Sequence, residues 1–142
     1  MSAIKLQLDT NFLLDAMIED RPQSDDVLAV FEAIIDGAVL AQIMPSQLVD
    51  YYYITRKAGL SDGERRRSIS LFLDYLELCP VDSAFVRAVV ESDEPDFEDG
   101  MIRQAAESFG ADYIVTRDVA GFHGSAVEKI EPSALAEFLN LG

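Results

Sequence analysis

Apolar residues recur along this chain in two rhythms: short runs of three to six, and longer stretches with helical spacing. The two take turns from one end to the other. Ile4 to Leu8 reads as a first strand ending on Asp9. Thr10 and Asn11 are expected to cap a short helix reaching Met17. After a polar turn over residues 19–26, Ser24 is expected to cap a helix from Asp25 to Ile35. Its Val27, Leu28, Phe31, Ile34 and Ile35 follow helical spacing, and Gly37 stops it. Ala38 to Ile43 is apolar nearly throughout, as a buried parallel strand should be. Pro45 and Ser46 open a helix over Gln47–Lys57, and Ser61 with Glu64 forms a capping box for the next, which reaches about Glu77. Leu78–Val81 is a short strand that Pro80 confines to an edge. Ser83 is expected to cap a helix to about Glu91, and Asp96 to begin one ending at Phe109 before Gly110. Tyr113–Val115 and Val127–Ile130 are the last strands, and Pro132 starts a terminal helix. Strands alternating with helices predict a single α/β domain, residues 1–142, on a mostly parallel sheet.

Composition narrows this picture in one direction. With 49% apolar residues over 142 positions the chain can bury a real core. The lone Cys79 excludes an internal disulfide and cysteine metal pairs, and reads as a small buried hydrophobe. No signal segment or membrane-spanning run is visible, which predicts a cytoplasmic protein with no membrane partner. The charge is unusual: 11 Lys and Arg against 26 Asp and Glu give −15. Such a surface repels nucleic acid unless a metal, a local basic patch or a partner intervenes.

Several of the acids fall at telling places. Asp9 ends the first strand and Asp118 follows the Tyr113–Val115 strand, so in a parallel sheet both reach the edge where such folds bind ligands. Asp50 lies on the first turns of the helix after the second strand. Asp96 and Asp99 lie in the first turn of theirs, although no strand is visible before it. Each has a bland explanation as a cap, a helix-dipole partner or a solvated face. Together they would repel one another and raise each other's pKa values, and a divalent cation reverses that cost. Oxygen ligands without His or Cys suit Mg2+ or Mn2+, and such sites act on phosphodiesters.

The ordered set Leu8–Asp15 (LDTNFLLD), Pro45–Lys57 (PSQLVDYYYITRK), Asp96–Ala106 (DFEDGMIRQAA) and Ala111–Asp118 (ADYIVTRD), followed by Phe122, resembles the PIN-domain family, the endoribonuclease fold of VapC-type toxins. The resemblance implies a three-layer α/β/α fold and a Mg2+- or Mn2+-dependent ribonuclease acting on RNA. It also implies homodimers and an antitoxin protein that blocks the site. By the same resemblance, Asp9, Asp50, Asp99 and Asp118 are the catalytic and metal-binding acids, Asp96 is an accessory acid, and Asn11 and Thr116 orient acids. Asp50 stands where many members have Glu, which keeps a catalytically decayed RNA- or protein-binding module as the alternative. A receiver domain or an aspartyl-phosphate phosphatase fits less well, for want of the further acid or Lys that each requires.

Arg56, Lys57, Arg65, Arg66 and Arg67 form the only dense basic region, a candidate RNA grip or a solvated, ion-paired helix face. Tyr51, Tyr52 and Tyr53 cannot all face one way on a helix, so one or two belong to the core. His123 sits in a loop between glycines and makes no catalytic triad.

Overall fold

Leu6 and Leu8 point to one side of the first strand and Gln7 to the other, and this period-two alternation divides the molecule into layers. The computed structural model describes residues 3–18, 21, 23–118 and 125–140. Phe122, His123 and most of the loop after Asp118 lie outside the described residues. Five strands form one sheet in the order β3-β2-β1-β4-β5: β1 (Ile4–Leu8), β2 (Val39–Ile43), β3 (Glu77–Leu78), β4 (Tyr113–Val115) and β5 (Glu128–Ile130). Every pairing is parallel. The helices are α1 (Thr10–Met17), α2 (Ser24–Ile35), α3 (Pro45–Lys57), α4 (Asp62–Tyr75), α5 (Ser83–Val90), α6 (Phe97–Phe109) and α7 (Pro132–Phe138).

One face of the sheet packs Leu6, Leu8, Val39, Ala41, Ile43 and Val115 against α1, α2 and α7, and against Tyr51 of α3 and Phe72 of α4. The other face packs Ile114, with Met44 and Cys79 from the strand ends, against Phe85 and Val89 of α5 and Ile102, Ala105 and Ala106 of α6. The result is the expected three-layer α/β/α architecture. Tyr51 is the core tyrosine, edge-on to Phe72, while Tyr53 is exposed.

The sequence rhythm locates the elements but misplaces several caps. Asp9, not Thr10 or Asn11, caps α1, its Oδ1 accepting from the Phe12 amide at 3.1 Å. Asp82, not Ser83, caps α5, and Asp96 stands outside α6 as its cap, accepting from the Asp99 amide. Ser24 makes no cap bond; its hydroxyl donates to the Asp15 carbonyl, and Gln23 before α2 adopts a left-handed conformation. In each case an aspartate or serine lay within one residue of the turn. The choice follows from where the backbone leaves the extended region, which the incoming loop sets. The Ser61–Glu64 capping box forms as expected, and β3 is an edge strand.

Candidate active site

Strands β1 and β4 are direct neighbours in register, Leu8 beside Val115, and the Asp9 amide donates to the Val115 carbonyl. Asp9 and Asp118 therefore leave the sheet at the same edge. Thr116 links them. Its buried hydroxyl oxygen accepts from the Asp118 amide at 3.0 Å, and the same side chain draws down the pKa of the Asp9 carboxyl. Burial pushes the Asp9 carboxyl above its usual range, against the pull of the Thr116 hydroxyl, the Phe12 amide and the charge of Arg117.

No strand precedes α6; the chain enters it from α5, which packs alongside it, through residues 91–96. Asp96 caps this helix and fixes the backbone at Asp99. Loss of solvent pushes the Asp99 carboxyl up to about 6, reinforced by the charges of Asp96, Asp118, Glu94 and Glu98. Asp118 thus belongs to two groups, one with Asp9 and Thr116, the other with Asp96 and Asp99.

Asp50 stands apart. It is exposed on α3, one turn past Gln47. Gln47 anchors the start of that helix to the same edge: its Nε2 donates to the Leu8 carbonyl at 2.8 Å and its Oε1 accepts from the Met44 amide at 2.7 Å. Among the described residues, no three Asp, Glu, His or Cys side chains stand close enough together, as placed, to hold a metal ion. The acids converge in overlapping pairs and not as a closed cage. Their chemistry still fits a hard divalent cation, because the donors are all oxygens and the charges of Asp96, Asp118, Glu94 and Glu98 crowd the Asp99 carboxyl.

The carboxamide oxygen of Asn11 accepts from Arg21 at 3.1 Å, and Arg21 also donates to Asp15 at 2.8 Å. Asp15, with a fully buried side chain, faces Arg117 on its other oxygen at 3.5 Å. Sequence reading passed over Asp15, Arg21, Arg117, Gln47 and Glu94. A charged residue at position 15, inside the apolar run of α1, was the one local signal that a buried ion pair had to exist. Glu94 has a side chain 1% exposed, lies 3.5 Å from Arg103 and packs against Gly100.

The basic stretch is divided in use. Arg65 is buried, donates to the Ser61 and Tyr52 carbonyls and lies over the Tyr52 ring. Arg66 pairs with Asp62, which also receives the Tyr52 hydroxyl. Arg56, Lys57 and Arg67 are exposed. Arg56 lies six residues beyond Asp50, roughly 9 Å further along α3 at 1.5 Å per residue, so this surface is set back from the edge that carries Asp9.

A PIN-domain family model matches residues 5–120. No curated protein matches the chain in sequence. Among solved structures, VapBC2 from Rickettsia felis, bound to a DNA fragment from its promoter, is similar with a TM-score of 0.66 at 15% identity, covering 90% of this chain and 98% of that one. FitAB bound to the IR36 DNA fragment gives 0.61 at 18% identity, covering 89% and 94%. VapC20 of Mycobacterium tuberculosis, a toxin that cleaves the sarcin-ricin loop, gives 0.61 at 11% identity, covering 84% and 90%. At these identities the likeness is one of fold.

Proposed function

The chain belongs to the PIN-domain family, and we propose on that premise that it is a metal-dependent endoribonuclease, the toxin of a toxin–antitoxin pair. The observation that carries the reading is the meeting of Asp9 and Asp118 at one sheet edge through Thr116, with Asp99 coupled to Asp118 from the neighbouring helix. Asp9, Asp99 and Asp118, joined by Asp50 and with Asp96 as an accessory, would hold Mg2+ or Mn2+. When bound, such an ion polarises a phosphodiester and lowers the pKa of water at neutral pH.

The chain's own residues prepare the site. Thr116 holds the backbone of Asp118 with its hydroxyl and stands as a polar neighbour of the Asp9 carboxyl. Asp96 holds the first turn of α6 and so the origin of the Asp99 side chain. Gln47 ties the start of α3, and with it Asp50, to the end of β1. The similarity to FitAB, VapBC2 and a toxin that cleaves the sarcin-ricin loop supports an RNA substrate, an antitoxin partner and a homodimer as parts of the same reading. Exposed Val49, Tyr53 and Ile54 on α3 supply apolar surface for protein contacts. No helix among the described residues is long and apolar enough to cross a membrane.

The test is cleavage of tRNA in Mn2+ by the wild type and by Asp9→Asn; equal cleavage by both sinks the assignment. The exposed position and short side chain of Asp50 favour one other reading, a PIN module whose metal site has decayed. Calorimetry separates the two: a folded chain that takes up no Mn2+ is the decayed module.

A further inference from the structure

A nuclease with a −15 charge and an acid-lined edge must still bring a polyanion to that edge. The basic stretch visible in the sequence does not stand there, and Arg65 and Arg66 are already engaged with their own helices. Two other arginines do stand at the edge, Arg21 and Arg117, and they share one buried carboxylate, Asp15. Arg21 satisfies it with a 2.8 Å hydrogen bond and is held a second time by Asn11. Arg117 reaches the other Asp15 oxygen only at 3.5 Å. Neither its Nε nor that oxygen makes a hydrogen bond.

Two guanidinium groups thus face one buried carboxylate, and Arg117 is the more loosely held of the two. It stands between Thr116 and Asp118 in the chain and within electrostatic reach of Asp9. The Arg117 side chain keeps 25% of its surface in solvent, so its guanidinium tip has a way out. A guanidinium held at its Nε end against a buried acid, with its remaining N–H groups open to solvent, is prepared for bidentate contact with a phosphate.

We propose that Arg117, braced by the Arg21–Asp15 pair, binds an RNA phosphate beside the Asp9–Asp118 acids and is a substrate-contacting residue of the site. This rests on the ribonuclease reading above. It differs from a purely structural role, in which Arg117 would only neutralise Asp15 and Asp9 and never meet the nucleic acid.

The experiment measures binding of a fluorescein-labelled RNA stem-loop to the full chain by fluorescence anisotropy. Ca2+ replaces Mn2+ so that binding is read apart from cleavage, and the salt concentration is varied. Arg117→Met should weaken binding about tenfold, the loss of one charge-assisted hydrogen bond. It should also lower the slope of log affinity against log salt by about 0.7 to 0.9, one phosphate contact fewer. Arg117→Lys should restore the slope and part of the affinity. Arg67→Met, exposed on α4, should leave more of the affinity than Arg117→Met does. A lower melting temperature with an unchanged salt slope in Arg117→Met overturns the proposal, because a structural ion pair does not release counterions from RNA. Wild-type protein that binds no RNA overturns it together with the ribonuclease reading. Wild-type protein that binds RNA but does not cut it in Mn2+ sinks the nuclease reading alone, and the slope comparison still decides Arg117.

Discussion

Thr116 and Asp118 are joined at the end of β4: the Thr116 hydroxyl oxygen accepts from the Asp118 amide at 3.0 Å, and the same side chain draws down the pKa of Asp9. Two acids 109 positions apart thereby share one buried neighbour. Thr116→Val, close in shape but without the hydroxyl, leaves the Asp118 amide short of an acceptor and takes a polar neighbour from the buried Asp9 carboxyl. The expected cost is about 1–3 kcal/mol in urea denaturation, with RNA cleavage lost. Thr116→Ser keeps the hydroxyl and should lose only about 1 kcal/mol for the missing methyl group.

The crowding of carboxylates at Asp99 sets a pH dependence in the metal-free protein. The folded chain holds a proton on Asp99 up to about pH 6, whereas an ordinary aspartate releases it near 3.8. Between those values the native state binds more protons than the unfolded state, so this group's contribution to stability falls as pH rises from about 4 to 6. Burial of Asp9 acts in the same sense. Asp62, Glu64 and Asp93, held below the usual range by their partners, act in the opposite one. The measurement is therefore the difference in melting temperature between Asp99→Asn and wild type in chelator. It should widen in favour of Asp99→Asn as pH rises through that window and stay level above it.

A divalent cation should reverse that penalty. Mn2+ at a hundredfold excess over its dissociation constant stabilises a protein that binds it only when folded by about 2.7 kcal/mol. Thermal melts of the wild type should show a corresponding rise with Mn2+. Asp9→Asn, Asp99→Asn and Asp118→Asn should each blunt it. Asp93→Asn, an exposed acid paired with Arg103, should respond like the wild type.

Gly100 follows Asp99 in the first turn of α6, and a Cβ there would lie 2.9 Å from Cγ1 of the buried Val89 on α5. Alanine ordinarily favours a helix over glycine by roughly 0.5–1 kcal/mol. Here the overpacking, about 1–3 kcal/mol, should outweigh that gain, so Gly100→Ala is destabilising. In a Val89→Ala background the same substitution should be neutral or favourable, a coupling that a double-mutant cycle by chemical denaturation reads directly.

The chain's own sequence determined the element order, the parallel α/β class and the arrival of Asp9 and Asp118 at one edge. These follow from period and chain order, since a strand's polarity and the residue ending it are local facts, and parallel connection places all such ends together. Even the family resemblance drew on contiguous stretches. Tertiary structure alone decided which acids meet in pairs and that Arg65 is spent on Tyr52 and Ser61. It alone turned the Asn11 carboxamide oxygen to Arg21, and brought Arg117 and Arg21 together over Asp15. The physical reason is that a buried charge must find its partner within a few ångströms, and for these residues the partner is supplied by another loop or helix. Burial and pairing are properties of packed elements, and no local pattern of apolar and polar positions records which side chain will lie across the gap.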